Sequence, residues 1–136
     1  MQWVDKIWGR TRELICSPFY AKYELDVIVG GYCSLHYHQH RANRFIVGTA
    51  RIRVLMLYGP KIEKYDLGPD NMLDVPSLVP HLFCVYAAGS LFEEYYPDRG
   101  GAVQQNDIVR LCEGGWLEEK FLDDLPHNLP TGAVLY

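Results

Sequence analysis

The sequence predicts an all-β domain, a sandwich or small barrel, and three observations carry that prediction. Two-residue alternation of apolar and polar side chains recurs along the chain, while a helical period almost never survives for three turns. Glycine and proline pairs punctuate it at short intervals, as turns between short strands do. Aromatic residues reach 13%, with Tyr alone contributing 10, and glycine contributes 12, a balance that suits pleated, half-buried surfaces and tight turns.

Taken in order, Ala21 to Val29 alternates Tyr23, Leu25, Val27 and Val29 with Lys22, Glu24 and Asp26, the pattern of a half-buried strand. Gly30-Gly31 ends it in a tight turn. Cys33 to His38 alternates again. Arg44 to Val47 and Thr49 to Leu57 are β-branched and aliphatic runs on either side of Gly48, and they predict a hairpin. Ile62 to Leu67 is a strand between Gly59-Pro60 and Gly68-Pro69. Pro76 and Pro80 bracket a stiff loop before His81, followed by strands over Leu82 to Tyr86 and Leu91 to Tyr96. Beyond Cys112 the pattern changes: Trp116 to Leu125 predicts a short helix closed by Pro126, and Asn128 to Tyr136 an extended arm. There is no internal repeat and no linker. One domain is expected over 1–136, with a core at about 6–112 and a C-terminal extension at 113–136.

Seventeen acidic residues against thirteen Lys and Arg leave a formal charge of -4. That argues against a nucleic-acid partner, which normally meets a basic excess gathered on one face. No apolar run is long enough to span a membrane as a helix. The opening Met1 to Arg10 carries Asp5, Lys6 and Arg10 without an apolar signal core. A cytoplasmic protein is therefore expected, with Cys16, Cys33, Cys84 and Cys112 as reduced thiols.

Chemistry concentrates at His36-Tyr37-His38-Gln39-His40. On a strand these three imidazoles leave one face, roughly 7 Å apart at Cα per step of two residues. Two of them can share a metal ion if a neighbouring strand supplies more, and His81 behind its double-proline loop is the long-range partner. Imidazole suits Zn, Fe, Ni or Cu rather than an oxygen-only cage. The plainer reading is a set of solvent-facing or structural histidines. His40 falls near the strand end, where it meets substrate or solvent, and His127 reads as surface.

These residues resemble the cupin superfamily. Gly30, five residues, His36-Tyr37-His38, four residues and Asn43 follow the spacing of its first motif, with Asn where that motif has Glu. Pro76-Ser77-Leu78-Val79-Pro80-His81 keeps the Pro and His of the second motif but has Leu78 for its Gly. The run Ser34 to Val47, continued by Gly48-Thr49-Ala50, looks like the type II mannose-6-phosphate isomerase signature. Lys6-Ile7-Trp8-Gly9-Arg10 and Gln105-Asn106-Asp107-Ile108-Val109-Arg110 are similar to segments near the two ends of that domain. The resemblance implies a double-stranded β-helix (a small barrel, or jelly roll) with a short helical or extended tail. It implies a divalent transition metal (Zn, Fe, Ni or Mn) on His36, His38, His81 and Asn43, and aldose–ketose isomerisation of a sugar or sugar phosphate. It also carries a homodimer, with Trp3, Trp8 and Trp116 as candidate contacts.

Isomerisation needs a base. Glu93 and Glu94 are the candidates, and alternation sends only one of them inward. Glu94 is preferred because Phe92 and Tyr96 share its face, although both acids also fit a solvated edge. Arg110, with Arg41 and Arg44 beside it, is a candidate for binding a phosphate, unless Arg110 forms an ion pair with Asp107 or Glu113. His40, Arg41 and Tyr96 are the expected substrate contacts, and Tyr32, Tyr37 and Tyr95 are further stacking surfaces. Two other functions fit the pattern. Without a carboxylate at 43, a three-histidine iron dioxygenase is one, and a non-catalytic carbohydrate-binding cupin is the other.

Overall fold

A computed structural model describes residues 2–100, 102–104 and 106–125 of the 136. Thirteen strands among them run β1 (Val4–Lys6), β2 (Gly9–Ser17), β3 (Tyr20–Val27), β4 (Gly31–Tyr32), β5 (Leu35–Tyr37), β6 (Arg41–Val47) and β7 (Arg51–Tyr58). They continue with β8 (Lys61–Leu67), β9 (Met72–Val75), β10 (His81–Ala87), β11 (Gly89–Pro97), β12 (Val109–Cys112) and β13 (Gly115–Trp116). All pairings between them are antiparallel. One sheet has the order β1-β2-β3-β11-β6-β9; the other has β12-β5-β10-β4-β13, with β7 beside β10 and β8 beside β7.

Side chains alternate across each sheet, so register decides what faces the interior. In the first sheet Tyr95 lies opposite Ala21 and Asn43, and Asn43 opposite Val75. All four are buried. In the second sheet Arg110, His36, His81 and Met56 form one row across β12, β5, β10 and β7. Phe45, Phe83, Leu25, Leu35, Leu55 and Leu82 pack between the sheets, with Phe45 and Phe83 meeting edge to face at 5.9 Å. The interior is apolar at one end and polar where these two rows meet.

Two expectations are corrected here. Arg44 to Val47 and Thr49 to Leu57 do not form a hairpin. β6 pairs with β11 and β9, whereas β7 pairs with β10 and β8. Gly48 to Ala50 is instead a corner where the chain leaves one sheet for the other, held by amide bonds from all three residues to the Ser90 carbonyl. Of the run Cys33 to His38 only Leu35–Tyr37 is strand: Cys33 and Ser34 lie between β4 and β5, and His38 lies past the end of β5. The Gly30-Gly31 turn is present: Gly30 has φ +89, and a Cβ on Gly31 would sit 2.6 Å from the Trp8 Cα.

Leu78, in the place of the motif glycine, adopts φ +67. The fold therefore keeps the left-handed turn that glycine takes without strain, at a cost to a leucine of about 1–2 kcal/mol. The Leu78 amide donates to the His38 carbonyl at 2.7 Å, which ties the His81 loop to the histidine segment.

The short helix expected over Trp116 to Leu125 is present as a shorter 3-10 helix. Gly115–Trp116 pairs with β4, and Glu119–Asp124 is a 3-10 helix. Leu122 and Leu125 are buried in the main core, so the extension closes one side of the barrel. The arm expected at Asn128 to Tyr136, with Pro126 and His127, lies outside the described residues. No helix among the described residues is long and apolar enough to cross a membrane.

Candidate metal centre

His36 and His81 are register partners on β5 and β10, and His38 reaches the same point from the loop that follows β5. The ring centroids lie 4.6 to 5.3 Å apart, and one ligating nitrogen from each falls within 4.8 Å of the others. All three residues are buried.

The backbone fixes which nitrogen is available. His36 Nδ1 lies 2.8 Å from the Ser34 carbonyl, His38 Nδ1 2.7 Å from the Asp107 carbonyl, and His81 Nδ1 2.9 Å from the Val79 carbonyl. A carbonyl only accepts, so each Nδ1 carries the proton and each Nε2 keeps its lone pair. Anchoring the far nitrogen in this way is how a protein orients imidazole toward a metal. The His38 Nε2 is buried with no hydrogen-bond partner. An orphaned acceptor of that kind in an imidazole cluster fits a cation. Burial is the first cause holding all three rings neutral: it lowers the His36 pKa well below the usual value, His38 to about 3 and His81 to about 4. The donor set fits a divalent transition metal ion, since imidazole suits Zn, Cu, Fe and Ni.

Asp107 holds the His38 turn. Its carboxylate accepts the amides of Gln39 at 2.8 Å and His40 at 2.9 Å, while its carbonyl takes the His38 proton.

Asn43 is fully buried beside the cluster. Its Nδ2 donates to Glu93 Oε2 at 3.0 Å and lies 3.4 Å from His81 Nε2, and its Oδ1 is buried without a partner. The amide thus spans from the imidazoles to a carboxylate.

That carboxylate is Glu93, and the preference for Glu94 is reversed. Leu91, Glu93 and Tyr95 face the interior, and Glu93 and Tyr95 line the cavity. Glu94 lies on the outer face with the Tyr20 hydroxyl and Arg44. Tyr96 is outside as well, under the Arg44 guanidinium at 5.4 Å. Phe92 and Tyr96 are as apolar as Leu91 and Tyr95, so hydrophobicity on β11 did not separate the faces. The register with Phe45 and Tyr23 does. Burial raises the Glu93 pKa, opposed by its bonds from Tyr95 and Asn43.

A cavity of about 750 Å³ reaches this group at His36, Glu93 and Tyr95. Arg41, Arg110 and Lys6 line it together with Tyr23 and Trp8. Arg41 is buried, whereas Arg110 stands exposed at the rim. His40 is exposed and does not line the cavity, because the chain turns outward at Asp107. Lys6 and Tyr23 were not singled out from the sequence. Tyr23 follows from the strand alternation, but nothing local to Lys6 marks it.

No family model matches the chain, and no curated protein matches it in sequence. Solved structures do. Bacillus subtilis oxalate decarboxylase at pH 4.6 superposes with a TM-score of 0.66 at 19% identity, covering 81% of this chain and 30% of that one. A structure of the same enzyme, studied for its Mn(II) centres, gives 0.67 at 17% identity with the same coverage. KdgF from a Halomonas species gives 0.63 at 17% identity over 74% of this chain and 90% of that one. The fold is a cupin fold. The chain spans less than a third of the oxalate decarboxylase chains. In this fold the two sheets form the barrel, and of the three histidines His36 lines the cavity.

Proposed function

We propose that this cupin is a metal-dependent isomerase or epimerase acting on a sugar or sugar phosphate. The observation that carries the reading is the carboxylate of Glu93, linked through Asn43 to His81 and lining the same cavity as His36, one of three convergent imidazoles. His36, His38 and His81 hold the ion, and Asn43 lies beside them. A divalent ion, when bound, supplies Lewis-acid stabilisation for negative charge that develops on substrate oxygens.

Glu93 takes the proton from the carbon next to the carbonyl and returns it to the former carbonyl carbon, while the hydroxyl proton passes to the former carbonyl oxygen, so that aldose and ketose interconvert. Bonds from the Asn43 amide and the Tyr95 hydroxyl hold one carboxylate oxygen still, which leaves the other free for this transfer. The raised Glu93 pKa brings it closer to the range in which a carboxylate both accepts and releases protons. Tyr23, Trp8 and Phe45 give the cavity wall the aromatic surface on which a sugar ring packs.

The test is proton exchange at the carbon next to the carbonyl of mannose 6-phosphate and of free aldoses. It is followed in D2O by NMR, with tag-free protein loaded in turn with Mn(II), Zn(II), Fe(II) and Ni(II). Glu93→Gln is expected to slow exchange by about 10²–10⁴-fold while binding one ion as before. No exchange with any ion and aldose, or full exchange in Glu93→Gln, refutes the proposal.

One observation favours a second reading. Asn43 leaves an all-neutral donor set, which suits a three-histidine iron dioxygenase. Oxygen uptake with Fe(II) and none with Zn(II) would select it. The proposal extends to a homodimer, supported by β1, which is exposed along its length at a sheet edge. Sedimentation at the monomer mass would refute that part.

A further inference from the structure

We infer that the cavity takes an anionic substrate and that Arg41 binds its carboxylate or phosphate. The inference rests on reading the cavity as a substrate site. It narrows the substrate class to sugars or sugar-like molecules that carry a negative group.

Arg41 is only 5% exposed, yet it has no carboxylate partner among the described residues. A guanidinium taken out of water without a counter-ion is costly. Its Cζ lies 3.8 Å from the centroid of the Tyr95 ring, which fixes the plane of the fork. Its Nε lies 3.3 Å from His38 Nδ1. That imidazole nitrogen already gives its proton to the Asp107 carbonyl, so the contact brings two donors together and satisfies neither side. The two terminal nitrogens make no hydrogen bond among the described residues, and neither is sealed from the cavity that Arg41 lines.

Glu93, which lines the same cavity, and Asp107 both feel the Arg41 charge, but neither forms an ion pair with it. Glu93 is engaged elsewhere. Its Oε2 is occupied by Asn43 at 3.0 Å and Tyr95 at 2.7 Å. The fork therefore stays open. Lys6 and Arg110 add positive charge to the wall, against Glu93 and Glu113. A planar fork with free donors takes two oxygens of a carboxylate or phosphate at once. Because Arg41 touches the His38 ring, the anion sits next to the metal-binding end of the cavity.

The experiment is calorimetric titration of chelator-treated and Zn-loaded protein with glucuronate, glucose 6-phosphate and glucose. At least one charged sugar is expected to bind tenfold or more tighter than glucose in both forms, and to weaken with added salt. The comparison of the two charged sugars tells carboxylate from phosphate. Arg41→Met is expected to lose about 10–100-fold in affinity for that ligand, the worth of a charge-assisted hydrogen bond. Arg41→Lys should fall between, and Lys64→Met, on the outer face, should stay within twofold. Should Arg41→Met fail to fold, Arg41→Lys and competition by sulfate in the unaltered chain give the answer. Glucose binding as tightly as its charged derivatives overturns the inference. So does anion binding that appears only with Zn and survives Arg41→Met. Turnover is not read, so Arg41-dependent anion binding without isomerisation refutes the proposed reaction alone.

Discussion

Acidifying the metal-free protein from pH 7 to pH 5 tests the neutrality of the buried imidazoles. In the folded chain burial lowers the His38 pKa to about 3 and the His81 pKa to about 4. In the unfolded chain both return to an ordinary value of about 6.5. Between those limits the unfolded state binds more protons, so stability falls as pH falls. The stability is fully present above the unfolded pKa and drains through the window from about 6.5 down to about 4. Integrated from pH 7 to pH 5, each ring removes about 2 kcal/mol, and the two remove about 4 kcal/mol. His36 is lowered in the same direction and adds to the loss. Glu93, raised, opposes it by taking up a proton more readily when folded. The assay is urea unfolding of chelator-treated protein at pH 7, 6 and 5, beside the His38→Gln/His81→Gln double variant. The unaltered chain should lose a large part of its stability, since a domain of this size has only about 5–15 kcal/mol. The double variant should lose far less over the same interval. An unchanged midpoint between pH 7 and 5, or equal loss in both proteins, would refute the assignment of neutral, proton-resisting imidazoles.

Other outcomes follow from single contacts. Tag-free protein should carry one equivalent of a divalent transition ion by elemental analysis, and His81→Ala should carry none. Asp107→Ala removes the acceptor for two amides that hold the His38 turn, so metal affinity should fall about 10–100-fold. Circular dichroism at neutral pH should stay unchanged. Leu78→Gly should raise the melting temperature, because relief of the positive φ is worth about 1 kcal/mol after the entropy of the new glycine. A lower melting temperature would show that the exposed leucine contributes packing that outweighs its strain. Leu122→Ala should cost about 2–5 kcal/mol by thermal or urea unfolding, since that side chain is 1% exposed in the main core. A negligible cost would mean the extension is not part of the barrel.

Much of this arrangement is legible in the sequence. Alternation and turn residues give the all-β class, and the His-rich run with His81 gives the three imidazoles, although His38 reaches the site from the loop after β5 and His40 turns away from it. Local pattern fails where two faces of a strand are equally apolar. On β11, Phe92 and Tyr96 match Leu91 and Tyr95 in character, and only pairing with β3 and β6 sends Glu93 inward and Glu94 out to Arg44. Local pattern fails again at Gly48, where two apolar runs that look like a hairpin separate into different sheets, β6 joining β11 and β9 and β7 joining β10 and β8. The sequence by itself determined the donors: imidazoles at 36, 38 and 81, an amide at 43, and a guanidinium at 41. Only the tertiary structure decided their states. Three backbone carbonyls leave every Nε2 unprotonated, and Asn43 and Tyr95 bond one oxygen of Glu93. Protonation and pairing depend on neighbours brought from distant strands, and no spacing along a single chain records them.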